Sequence, residues 1–518
     1  MKKNFLTAAA ITVIAFFVAT TIAQAADVNF SGQVRTRWES NGQSGGGAFN
    51  DASDNDDFIA TRVRLNANVN VNDSTSAFIQ MQSNRTWGNN NGTAGTLANN
   101  AGSGNSSFSP SDADASVGLH QAYFTLKNFA TLPVDLQMGR QEVVLDGHRL
   151  FGNTGWTTGA QTHDAIRLTH AHDNMALVYA YVLGNEGDRT NDPGDLNDTD
   201  VHLVYGSLQG ILGGTLSVTF AGVVDGCGVT ATATCSLQAN DIYTIGFRQA
   251  GQLFGIDYRG EYYHQWGDAR ADATRNAANL NHTALATQAS IDRDAYMFGL
   301  RIGKKFNNVM MKPSLTFWYD QLSGTDDSDV NGNEWGGFNT LFDTGHKFYG
   351  HMDLFLDGGS GGGGTQGLGL VDMAIKGSIQ PMAGWTVKAA FHWFETEVDP
   401  NSNATARGPQ IAAGVDEDLG TELDLALVHK YNANTVISAG YSVFNGEQLF
   451  NLQRQTTEDA DWAYVSFHFL LNRQNVSNHN NLMGSGGSDY KVLVQNSWTL
   501  WPVGTEDYTN VLSHNEGG

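Results

Sequence analysis

Apolar and polar residues alternate one by one along most of this chain. In 28–38, Val28, Phe30, Val34 and Trp38 share one face, while Asn29, Ser31, Gln33, Arg35 and Arg37 share the other. Residues 58–71 repeat the pattern: Ile59, Val63, Leu65, Val69 and Val71 oppose Arg62, Arg64, Asn66, Asn68 and Asn70. Successive strand side chains point to opposite faces, so each segment has an apolar side and a wet, partly cationic side. The period predicts an all-β chain of about eighteen strands. They fall near 28–38, 58–71, 76–84, 118–127, 133–140, 164–170, 174–183, 200–206 and 215–222, then near 241–248, 253–263, 294–303, 310–320, 369–379, 385–394, 421–430, 435–444 and 462–470. The connections alternate in length. Those at 72–75, 128–132, 171–173, 207–214, 249–252, 304–309, 380–384 and 431–434 are tight, whereas 39–57, 85–117, 141–163, 264–293 and 321–368 are long. A soluble sandwich has no reason to sort its loops this way. A transmembrane antiparallel β-barrel does, with short periplasmic turns and long extracellular loops.

Residues 1–25 read as a secretory signal: Lys2 and Lys3, an apolar run over 5–19, and Ala23-Gln24-Ala25 before the expected cleavage point. The expected domains are therefore a signal peptide (1–25), an outer-membrane barrel (26–470) and a C-terminal tail (471–518), periplasmic or lumenal. Within that tail, 490–501 has β character. No later apolar stretch reaches the roughly 20 residues a spanning helix needs, and the mean hydropathy of -0.30 fits a sheet with one face in water. A net charge of -24 argues against nucleic acid as partner. Cys227 and Cys235, close together in an exported chain, are expected to form a loop disulfide.

Two stretches carry a resemblance. Residues 139–156 (GRQEVVLDGHRLFGNTGW), followed by Asp164-Ala-Ile-Arg167, resemble the signature of the alginate export family of outer-membrane porins. Residues 343–355 (DTGHKFYGHMDLF) resemble its second landmark, and 420–424, 438–442 and 460–464 its closing strands. The resemblance implies an eighteen-stranded, monomeric barrel in the cell outer membrane. Its neighbours would be lipid and lipopolysaccharide, and its cargo an anionic solute or polysaccharide such as alginate, drawn past lumenal cations. Arg35, Arg37, Arg62, Arg64, Arg140, Arg149 and Arg167 are the positions carried over. Strand alternation adds Lys127, Arg259, Arg301 and Lys312 to the polar face. Rings of Arg and Lys in a low-dielectric wall favour anions. The competing role for Arg140 and Arg149 is pairing with Glu142, Asp146 and Asp164 to pin a folded-in loop.

Other chemistry is sparse. Asp327, Asp329 and Asn331 match the opening of a calcium loop, but Phe338 stands where its closing glutamate belongs; acidic loops are the only expected cation sites, and no other cofactor is implied. Gly-x-Ser-x-Gly falls only within glycine-rich loop stretches (42–46 and 358–362), not at a strand-to-helix elbow, and His-Glu-x-x-His does not occur, so the chain does not read as an enzyme. The expected function is passive passage of anionic or polyhydroxylated solutes. The rival readings are a general small-solute porin, and a non-transporting surface barrel for adhesion or scaffolding.

Overall fold

The computed structural model describes residues 27–41, 56–87, 117–185, 199–225, 240–269, 290–356, 365, 367–400, 414–454 and 459–471. The strands are β1 Asp27–Asn41, β2 Asp56–Asn72, β3 Thr75–Thr86, β4 Gly118–Leu126, β5 Asp135–Gln141, β6 His163–His172, β7 Met175–Asn185, β8 Thr199–Ile211 and β9 Gly214–Asp225. They continue as β10 Ile242–Leu253, β11 Ile256–Asp268, β12 Asp292–Lys305, β13 Ser314–Leu322, β14 Glu334–Trp335, β15 Leu370–Ile379, β16 Trp385–Glu395, β17 Asp418–Asn432, β18 Thr435–Gly446 and β19 Ala460–Leu471. The two-residue β14 lies in a loop. The other strands form the wall, each antiparallel to its sequence neighbour, and β1 pairs with both β2 and β19. The result is a closed 18-stranded barrel with no free edge.

The barrel is inside out relative to a soluble protein. Leu65, Phe247, Ile302, Ile375, Leu425 and Phe467 point outward and are 41–52% exposed, while their sequence neighbours Arg64, Arg248, Arg301, Lys376, Asp424 and Ser466 are buried inside. A lipid solvent rewards an apolar outer face. The cysteine pair, the signal segment and the tail beyond Leu471 lie outside the described residues.

Every expected strand is present, but two turns are tighter than the sequence suggests. The glutamine- and glycine-rich stretches at 207–214 and 249–252 read as turns, yet β8 and β10 run through most of them. The turns are instead Leu212-Gly213, inside the first stretch, and Phe254-Gly255, past the end of the second and inside the expected strand 253–263. Both residues of each have positive φ (48° and 69°; 54° and 74°), the type I′ geometry that matches strand twist. Ladder partners on both sides keep these segments extended despite weak local propensity. In the other direction, β13 begins at Ser314 rather than 310, which leaves Lys312 in an exposed turn rather than on the inner face.

Candidate functional site: the loop-filled lumen

Two connections turn inward. Residues 142–162, between β5 and β6, meet residues 323–356, which follow β13, at a bridge of Phe151 with Phe342. Val143, Leu145, Leu150, Phe151 and Trp156 of the first loop join Phe338, Phe348, Tyr349 and Phe355 of the second in one buried core. It extends to wall residues including Val178, Leu203, Met297, Leu322, Phe394 and Phe444. The Phe355 ring lies 4.5 Å from that of Phe394, tilted by 43°, and Phe444 lies 4.7 Å from Phe450 of a short helix, α2 (Gln448–Arg454). Apolar side chains on the lumenal face of β7 and β8 are explained by this filling.

Around that core sits a shell of charge. Arg35 donates from Nη1 to the Gly155 carbonyl (2.8 Å) and from Nη2 to those of Trp156 (2.8 Å) and Thr157 (2.9 Å). Arg62 Nη1 reaches the Gly155 and Thr157 carbonyls at 3.1 and 3.0 Å. Arg37 donates to the Trp156 carbonyl at 2.6 Å, lies 3.8 Å from the Trp156 ring centre, and pairs with Glu39. Adjacent inward positions on β1 and β2 thus grip one short stretch of loop. Arg64 contacts Gln82 (2.7 Å), His120 (3.0 Å) and Glu142 (3.7 Å), holding the loop where it leaves β5.

The opposite wall carries an arginine cluster. Arg149, at the loop tip, donates from Nη2 to Asp320 (2.7 Å) and Glu261 (3.1 Å), and from Nη1 to the Tyr349 hydroxyl (2.8 Å). Arg301 chelates Asp320 through both Nη atoms at 2.7 Å. Arg259 lies 3.8 Å from Glu261, directly beneath Gly147; a Cβ on that glycine would sit 2.8 Å from Arg259 Nη1. Arg248, which the alternation expectation passed over, approaches Asp146 (3.4 Å) and Glu261 (3.9 Å). Its position was legible, because Phe247 beside it is the outward residue. The Nη2 atoms of Arg248 and Arg259 are buried without a hydrogen-bond partner among the described residues.

The remaining candidates separate. Arg167 is inward and bonds Gln137 at 2.5 Å. Arg140 is not lumenal: it is paired across the ladder with the exposed Asp164, in line with outward Met138 and Ile166, and reaches Asp164 at 3.2 Å. Strand parity puts it outside although its motif partner Arg149 is deep inside. Lys127 stands in the turn after β4, away from the ring. Of the expected loop pairings, Arg140 with Asp164 is present, whereas Arg149 is held by Glu261 and Asp320. The calcium candidates Asp327, Asp329 and Asn331 lie on a helical turn, α1 (Asp327–Gly332), in which Asp326 and Asp329 form a reciprocal capping box. Among the described residues no group of three or more His, Cys, Asp or Glu converges as a metal site would.

A second anchor was not visible in the sequence. The backbone N–H groups of His351 and Met352 donate to Glu422 Oε1 (2.6 and 3.0 Å), and His351 Nδ1 lies 3.6 Å from Asp424. Gly350, with φ of 87°, permits this approach, since a Cβ there would meet the Glu422 carboxylate at 2.5 Å. Burial outweighs the attraction of Asp424 and holds His351 down to about 3; His346, Lys376 and His392 push the same way. A released His351 titrates near 6.5, so the held loop binds fewer protons than the free one between those values. Its anchoring is complete above pH ~6.5 and is lost as pH falls toward 3, a loss on the order of 2 kcal/mol at pH 4.5. Cleavage of the 336–356 segment by an acid-tolerant protease is expected to rise roughly thirtyfold from pH 7 to pH 4.5, and His351→Phe should flatten that rise. An equal rise in the variant would assign the pH response elsewhere.

Solved structures with a similar barrel include three proteins of Pseudomonas aeruginosa. OccK2 (OpdF) matches at TM-score 0.50 with 10% identity, covering 86% of this chain and 98% of that one. OpdO matches at 0.50 with 11% identity (86% and 97%), and OccK9 (OpdG) at 0.50 with 11% identity (86% and 98%). At such identities the likeness is one of fold. Curated proteins offer no sequence match. Residues 26–462 match the family model described as Alginate export. With its closed wall, lipid-facing surface and polar interior, the chain belongs to the alginate export family of outer-membrane β-barrel channels.

Proposed function

We propose that the barrel passes anionic, polyhydroxylated solutes, an acidic polysaccharide such as alginate among them, by diffusion along the arginine-lined lumen, and that the present structure is its closed state. The observation that carries this reading is the grip of Arg35, Arg37 and Arg62 on the carbonyls of 155–157. A peptide carbonyl is a neutral acceptor, and a charge-assisted bond from guanidinium to carboxylate is roughly twice as strong. A uronate chain entering from either side competes for those donors and displaces the loop. The unbonded Nη2 atoms of Arg248 and Arg259 offer further donors on the facing wall. The acidic partners of Arg149 and Arg301, by contrast, make that pair an anchor.

Planar-bilayer recording with oligouronates tests this. Reversible block by hexauronate, at least tenfold stronger than by a neutral hexasaccharide of the same length, is the expected outcome. Equal block by both favours a general small-solute porin. Silence under all conditions, including with the loop released, favours a non-transporting surface barrel.

A further inference from the structure

The periplasmic turns carry a feature that conduction does not use. At the tips of the β8–β9 and β10–β11 hairpins stand Leu212 and Phe254, 62% and 98% exposed. Both are left-handed, at φ of 48° and 54°. Bulky residues rarely adopt that conformation, and Asn, Asp or Gly suits the first position of a type I′ turn far better. Apolar side chains are therefore held, against local preference, where no described residue covers them. Val309 and Met310 follow in the β12–β13 turn (50% and 81%), Met382 in the β15–β16 turn (63%) and Tyr431 at the end of β17 (65%).

Strand pairing and hydrogen bonds set these turns side by side in one arc, with Asp257 opposite Gly303 between the β10–β11 and β12–β13 turns. The Gln252 N–H donates to the Gly213 carbonyl (3.2 Å), Gln380 to Met311 (2.6 Å), Lys430 to Gly384 (2.7 Å), and Asn434 and Leu470 exchange bonds of 2.8 and 2.9 Å. The arc therefore ends beside Leu471, the last residue of β19, from which the chain continues for 472–518. Lys304, Lys305 and Lys312 are exposed on it. The other half of the rim has polar tips, Asp73-Ser74 and Asp173-Asn174, with Phe129 and Leu132 as its one apolar turn.

We propose that this apolar, basic arc is the docking surface for the chain's own C-terminal segment 490–501. In that segment Tyr490, Val492, Val494, Trp498 and Leu500 fall on one alternating face. The segment's own charge is Lys491, but Asp489 precedes it and Glu506, Asp507 and Glu516 follow it, so its flanks are acidic and complementary to the lysines of the arc. Reach is ample. The stretch 472–489 extends up to ~60 Å, against a cylinder on the order of 35 Å across for strands spaced ~4.8 Å apart. Docking buries the tips that the turns otherwise expose.

Trypsin cleavage after Lys491 in the purified full-length barrel, followed by mass spectrometry, tests the proposal against a free peptide of residues 486–501. Cleavage in the barrel is expected to be at least tenfold slower than in the peptide. In the double variant Leu212→Asn/Phe254→Asn it should approach the peptide's rate. Asparagine suits both turns, so the exposure cannot be blamed on a lost hairpin, and Met310→Gln/Met382→Gln gives an independent pair. Cleavage in the wild type as fast as in the peptide overturns the proposal. So does protection that neither pair of substitutions changes, which would place the segment in the lumen or against lipid.

Discussion

Arg149→Ala is expected to leave the barrel folded and to raise its open fraction in bilayers by about two orders of magnitude. Arg149 is the one side chain of the first inward loop that reaches Glu261, Asp320 and Tyr349 together, and its guanidinium carbon lies 3.6 Å from the Phe348 ring centre. It therefore ties that loop to two wall strands and to the second loop at once. Removing one partner of a buried ion pair costs about 3–5 kcal/mol, mostly because an unpaired charge is left behind. Here the lower end applies: Arg301 still chelates Asp320, and Arg248 and Arg259 still flank Glu261. About 3 kcal/mol at the loop corresponds to a shift of roughly 150-fold between held and released states. The wall hydrogen bonds do not pass through this residue, so thermal unfolding of the barrel should change little. An unchanged open fraction would mean that the loop core alone keeps the lumen shut.

Replacing Arg35 and Arg62 together with Gln is expected to reduce the anion-to-cation permeability ratio by about tenfold, the low end of what focused lumenal charge supplies. Glutamine retains a donor for the carbonyls of Gly155 and Thr157, so the loop keeps a hold while two positive charges disappear. Arg37 is the wrong residue for this test, because its pairing with Glu39 already neutralises it. Arg301 is wrong for the same reason, through Asp320. Reversal potentials in a salt gradient read the effect directly. A ratio unaltered by both substitutions would place the permeating ions on another path.

The strands were legible because lipid on one side and a polar lumen on the other impose the same period-2 pattern on nearly every segment. Turn ends were less so: at 207–211 and 249–253 the chain holds an extended ladder through Gly and Gln, which neighbours dictate and local propensity does not. Parity explains the fate of the motif arginines. Arg140 is the penultimate residue of β5 and is sent outward by the pleat, whereas Arg149 sits in a loop, where no period fixes its direction. That it lands on Glu261 and Asp320, more than a hundred residues downstream, is a tertiary fact with no local trace. The 326–332 stretch did carry a readable alternative to calcium, since Asp326 and Asp329 have the spacing of a helix capping box.

The most direct measurement is the reversal potential of the wild-type barrel across a potassium chloride gradient, recorded on single openings. A barrel that conducts through its arginine-lined interior gives a potential displaced toward the chloride equilibrium value. A potential displaced toward potassium contradicts that path.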